Sequence, residues 1–277
     1  MSQPLSTLHS TLSPHLNHLL TRIKAQPLLA TVLAGLTTAT LLAAINDYRA
    51  FLALGPGGLP YNPIGWLVNL LVLRPLSLSK RDRLFIADYL PASAATEYIR
   101  SLPSRSGERA HTGGIVPHRQ LSQLAPESMA APLQQMLRDF LDAQDGPLKG
   151  KLVMRKSHYE RHNDALYVSD ALLAEPATQT KVPRTARVAK GEAAHVHGDR
   201  SLHLYLHPAD AAAVVEKGWG ERHRLSRTWP WWLGGGTDKL GLGHTWIMLY
   251  GPRDGGELEV VKGVVGEGLR WMVGERV

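Results

Sequence analysis

The chain has no cysteine among its 277 residues. Disulfides, zinc fingers, iron–sulfur clusters and thiol catalysis are excluded together, while the redox compartment stays open. There is no internal repeat. No nucleic-acid motif accompanies the scattered Lys and Arg residues, so nucleic acid is not an expected partner. The net charge of +7 points instead to an anionic surface such as phospholipid headgroups. Charge is also missing locally: "LLATVLAGLTTATLLAAI", from Leu28 to Ile45, carries none over eighteen residues. That length is at the short end of what spans a bilayer. Residues 1–27 read as a polar leader, too long and polar for a cleavable signal peptide. A single membrane-anchoring helix over 28–45 is therefore expected, with a buried core helix as the alternative.

What is present is ordinary for a globular domain: 44% hydrophobic and 20% charged residues, enough to build a core. "GPGGLPYNP" (Gly55–Pro63) must be loop, and Ile64–Leu73 is a second apolar stretch too short to span. "RSGERAHTGG" reads as another loop. A helix is expected from about Pro132 to Gln144, with Leu133, Met136, Leu137, Phe140 and Leu141 on one stripe. From Leu152 the period becomes that of strands: Ala165–Val168, Ala194–Leu206 and Thr245–Tyr250. Pro208 opens a short helix that Gly218 closes. Asp254 and Glu257 form a capping box before a C-terminal helix with an apolar stripe of Leu258, Val261, Val265, Leu269 and Met272. The pattern predicts an α+β domain over 46–277, a mainly antiparallel sheet with flanking helices.

The stretch "AAHVHGDRSLHLYLHP" holds four of the thirteen histidines. On one continuous strand His195 and His203 would lie about 26 Å apart at roughly 3.3 Å per residue. If Gly198–Asp199–Arg200 is a three-residue hairpin turn, His195 opposes His203, and His197 joins them on one face. Val196, Leu202, Leu204 and Leu206 then pack the other. Three converging imidazoles suit a proton-transfer site; they suit a zinc, iron or copper site equally, with His195, His197 and His203 as ligands.

The motifs "DYRAFLALGP" (47–56), "AHVHGDRSLHLYL" (194–206), "KGWGERH" (217–223) and "WIMLYGPRD" (246–254), in this order and spacing, resemble the fungal luciferases. Between Leu102 and Lys156 only "PHRQ" shares the likeness. The resemblance implies oxidation of a styryl-substituted α-pyrone, 3-hydroxyhispidin, by molecular oxygen as co-substrate, with no organic cofactor and with loss of carbon dioxide and emission of light. Such chemistry needs a base to form an oxygen-reactive enolate and a dry aromatic pocket. His195, His197, His203 and His223 are the candidate catalytic residues. The candidate substrate-binding residues are Arg222 and Arg253 to hold substrate oxygens, Trp219, Trp246 and Tyr250 to stack on a planar ring, and Glu192. The expected partners are a small pyrone or phenolic molecule and membrane lipid, and the expected location is the endoplasmic reticulum or another internal membrane. The alternatives are a non-luminous His- or metal-dependent hydrolase or lyase, or a membrane-tethered binding module. Between Leu225 and His244 the chain departs from the resemblance with a Trp- and Gly-rich insertion. Its Trp229, Trp231 and Trp232 can form a lid, a membrane contact or a surface loop.

Overall fold

The structure, a computed structural model, describes residues 21, 26–89, 93–175 and 181–276; nearly all of the expected leader lies outside them. The chain divides into two units at Ala53/Leu54. The first contains helix α1 (Pro27–Ala53), which continues eight residues past the expected end of the apolar run. It is long and apolar enough to cross a membrane, and none of its most apolar window is buried.

The second unit carries α2 (Pro63–Leu76, with a π-helical turn at Asn69–Leu73), α3 (Glu97–Ser101), β1 (Thr112–Gly114), β2 (His118–Gln120), α4 (Ala130–Leu141), β3 (Leu152–Lys156) and β4 (Asp164–Val168). It continues with α5 (Asp170–Ala174), α6 (Arg184–Val188), β5 (Glu192–Val196), β6 (Leu202–Tyr205), α7 (Pro208–Glu216), β7 (Gly220–Arg222), β8 (Trp246–Leu249) and α8 (Gly255–Met272). β3 to β8 form one antiparallel sheet in the order β3-β4-β5-β6-β8-β7, and β1 pairs with β2 in a small hairpin. The expected α+β architecture is what the chain adopts. Sequence periodicity missed β1, β2 and β7: three residues are too few to show a period of two. The segment read as the loop "RSGERAHTGG" ends in β1.

One sheet face is the core. Val196, Leu202, Leu204, Ile247 and Leu249 on that face are buried together with Val261, Val264, Val265, Leu269 and Met272 of α8. Asp254 caps α8 by accepting from the Glu257 amide. The Glu257 carboxylate accepts from the Arg253 amide, one residue before the cap. The glycines that weaken the helix sequence have a packing reason. A Cβ on Gly268 would lie 2.5 Å from the Tyr205 carbonyl oxygen, whereas one on Gly255 meets nothing within 4 Å. Backbone cannot yield as a flexible side chain does, so α8 lies on β6 only because position 268 has no side chain. Gly268→Ala should therefore destabilise the unit by about 1–3 kcal/mol, read as a lowered midpoint in denaturant, while Gly255→Ala should leave it nearly unchanged.

Candidate active site

The opposite sheet face carries the histidines. β5 and β6 are joined by the three-residue turn Gly198–Asp199–Arg200. His197 N–H donates to Ser201 O at 2.8 Å, and Arg200 takes a left-handed φ of 68°. His195 directly opposes His203. The His195, His197 and His203 rings have centroids 4.6–5.6 Å apart and are all buried. The convergence inferred from strand parity is present.

A β-bulge supplies their charge partner. Residues three apart on a regular strand face opposite sides, but the register shifts between Leu166 and Tyr167, so that Tyr167 pairs with Glu192. The extra residue on β5 brings Glu192 to the side of His195. Glu192 Oε1 lies 2.8 Å from His195 Nδ1 and accepts from Ser157 Oγ at 2.7 Å. Its Oε2 accepts from the His158 amide at 2.6 Å and the Tyr167 hydroxyl at 2.9 Å. Burial alone would raise this carboxyl, but the His195 contact and the two hydroxyls outweigh it and hold Glu192 below the usual carboxylate range.

Counting protons along this chain of contacts assigns their direction. The Ser201 hydroxyl donates to Asp199 Oδ1 at 2.6 Å, so its oxygen must accept from His197 Nδ1–H at 2.9 Å. Burial and the charge of neighbouring His195 push His197 well below the ordinary imidazole value, so its other nitrogen, Nε2, is bare. That nitrogen lies 3.0 Å from His195 Nε2 and is placed to accept a hydrogen bond from it. His195 thus has both nitrogens engaged, Nδ1 with Glu192 and Nε2 with His197.

His118, His203 and His223 complete the cluster; the His203 centroid lies 5.5 Å from that of His118 and 5.1 Å from that of His223. His118 arrives on β2, which is tied to the hairpin turn by the Gln120 amide donating to Asp199 Oδ2 at 2.8 Å. His118 Nε2–H donates to Glu221 at 3.1 Å, and its Nδ1 is buried without a partner. His203 Nδ1–H donates to Ile247 O at 3.2 Å. His223 uses both nitrogens: Nε2–H donates to Ile115 O and Nδ1 accepts from the Leu225 amide. Burial first, and neighbouring imidazoles second, push His203 and His223 well below the ordinary value.

These rings face a cavity of about 270 Å³. His118, His195, His203, His223 and Glu160 form its polar side; Trp246, Tyr159, Ile115, Leu225 and Leu242 form much of the rest. Trp246 stacks on His203 at 5.1 Å with 14° between planes. His197 is one layer behind His195 and does not line the cavity. Five of the six expected substrate-binding residues are elsewhere. Arg222 alternates to the core face and bonds Phe85 O, Asp88 and Ser226 O. Arg253 clasps Glu257, Gln123 and Ser106. Trp219 donates to Pro103 O, and Tyr250 to Glu221. Glu192 stands behind His195 as its partner. Trp246 alone of the expected stacking residues reaches the cavity.

A profile of the luciferase domain matches residues 190–268. The chain is 27% identical over 232 residues to a luciferase of Neonothopanus nambi, covering 83% of this chain and 81% of that protein. It is 28% identical to luciferases of Armillaria ostoyae and Armillaria mellea, with 83% and 82% covered. The chain carries a luciferase domain and is a distant relative of the fungal luciferases. No solved structure matches it.

The matched domain includes β5 to most of α8, and with them His195, His197, His203, His223 and Trp246. His118, Ser157 and Glu160 reach the site from outside it. Sequence reasoning had not selected these three, although "PHRQ", which contains His118, was the one part of the middle region sharing the likeness. Among the described residues, donor atoms converge in two sets: His118, His203 and His223, and Glu160, His195 and His197. The three strand histidines read as a metal set are divided between them. A cation in the first set would have to displace a backbone bond from His223. One in the second would compete with Arg119, whose guanidinium holds both Glu160 oxygens at 3.0 and 2.6 Å.

Buried histidines held well below the ordinary imidazole value should make the fold lose stability in acid. His197, His203 and His223 are uncharged in the fold but protonate in the unfolded chain below the ordinary value of 6.5. Their stabilising effect is complete above that pH and is lost as pH falls towards their depressed folded values, by up to about 1.4 kcal/mol per pH unit for each. Thermal melts between about pH 7.5 and pH 5.5 should show Tm falling steadily, with a shallower fall in His203→Gln.

Proposed function

We propose that this chain is a membrane-anchored, luciferase-like oxygenase. It acts on a planar enol-bearing molecule of the α-pyrone or phenolic class, such as 3-hydroxyhispidin, and uses molecular oxygen without an organic cofactor. The observation that carries this reading is the cavity itself: imidazoles on one side, apolar and aromatic groups on the other. Its volume is just below the usual range for small-molecule sites, a fit for one flat ring system. α1 is the anchor, and the membrane it enters is an internal one.

Hydrogen bonding divides the labour among the rings. His203 and His118 each have one nitrogen held by an acceptor and the other bare. Of these, His203 is fixed against Trp246, where a flat substrate would stack, and serves as the base. His195 has both nitrogens engaged, by Glu192 and by His197, so neither is open to take the substrate's proton. It places its ring beside the enolate that forms, and Glu192 holds that ring in position. His197 fixes the His195 ring. Oxygen then adds to the electron-rich carbon of the anion, and the resulting peroxide loses carbon dioxide. The apolar side excludes the water that would intercept these species.

Oxygen uptake and photon counting with 3-hydroxyhispidin and related pyrones test the reading. His203→Gln, which keeps most of the volume, should lower kcat by about 10²–10⁴-fold with little change in KM and with partial rescue by added imidazole. Turnover within about threefold of the unaltered protein would fall far short of a lost base and would overturn the assignment. Tight pyrone binding with no oxygen uptake would make the protein a tethered binding module.

A further inference from the structure

α2 is inside out. A helix on a soluble domain turns its apolar stripe to the core and its polar residues to water. In α2 the buried positions include Gly65 and Asn69, while Ile64, Leu67, Leu71 and Val72 are 67%, 43%, 65% and 50% exposed. Asn69 Oδ1 is buried without a partner. The burial of Gly65 is built in, since a Cβ there would lie 1.9 Å from Pro60 O. The helix is therefore held in this orientation by its backbone packing.

A second apolar feature adjoins it. In the Trp- and Gly-rich insertion, Trp231 and Trp232 are 87% and 66% exposed, and Leu240 is 58% exposed while also lining the cavity. The two features meet at the cavity, which Leu73 of α2 lines together with Leu240 and Leu242. Arg227 also donates to Leu76 O. Isolated exposed apolar residues are ordinary, but a contiguous set at a cavity mouth marks an interaction surface.

Charge identifies the partner. Arg74, Lys80 and Arg81 follow the apolar part of α2 and are exposed. Arg224 is bonded to Ser77 and Leu78, and its guanidinium is depressed by burial and by the nearby Arg83 and Arg74 charges. An apolar patch with two tryptophans beside a basic cluster matches the acyl boundary and anionic headgroups of a bilayer. We propose that α2 and the Trp231–Trp232 loop seat in an anionic membrane surface, placing the mouth of the cavity at the lipid interface. This contact is made by the luciferase-bearing unit itself, is additional to α1, and does not depend on the reaction proposed above.

The tryptophan distribution makes a direct test available, because all seven lie from Trp66 onward and α1 has none. Full chain is reconstituted into phosphatidylcholine–phosphatidylserine vesicles, with and without bromine on the acyl chains near the headgroup. Brominated lipid should quench the emission, and Trp231→Phe with Trp232→Phe should remove the larger part of that quenching. Unquenched emission from chain that floats with the vesicles overturns this contact and leaves the α1 anchor standing. Quenching that is unchanged in the double variant overturns the role of the loop. Chain that does not float overturns both readings, and a concentration-dependent dimer with unquenched emission assigns the patch to a second copy.

Discussion

A buried imidazole has two nitrogens, and each left unpaired away from water costs about 1–3 kcal/mol. Five such rings packed side by side cannot all satisfy one another, although His195 and His197 meet through their Nε2 atoms. This site solves the problem with one oxygen acceptor per ring: Glu221 for His118, Glu192 for His195, Ser201 for His197, and the Ile247 and Ile115 carbonyls for His203 and His223. Much of the surrounding architecture serves those five bonds. The β5 bulge delivers Glu192, the three-residue turn delivers Ser201 and Asp199, and the β1–β2 hairpin delivers His118 with Thr112, which donates to Glu221 at 2.6 Å.

Fixing one nitrogen of each ring also fixes what the other can do. His203 and His118 are left with one nitrogen that no hydrogen bond engages, whereas His195 and His223 have both engaged. Identical side chains thereby acquire different chemical character from their hydrogen-bond partners alone, as paired carboxylates do in enzymes. The likeness to fungal luciferases supports the proposed class of chemistry, and the partners of each ring support the choice of His203 as its base.

The hairpin was legible because it depends on local rules: side-chain parity, turn length and an apolar face at alternate positions. Asp254 as a helix cap and Gly218 as a helix stop were legible for the same reason. The failures share a cause as well. Arg222 and Tyr250 look available in "GWGERH" and "LYGPRD", but only tertiary structure shows that Asp88 and Glu221 already occupy them. Glu192 was visible as a nearby acid, yet its position behind His195 depends on a bulge that no spacing rule reveals. His118 and Glu160 come from segments 35 or more positions before His195 and were out of reach of strand reasoning.

The central claim is that the cavity binds an enol and removes its proton before oxygen reacts. Absorption spectra of 3-hydroxyhispidin bound under anaerobic conditions, at a pH where the free molecule is protonated, test this directly. The account predicts that the bound molecule shows the enolate spectrum, and that in His203→Gln it binds but stays neutral. A neutral spectrum on the unaltered protein, with the site saturated, would contradict it.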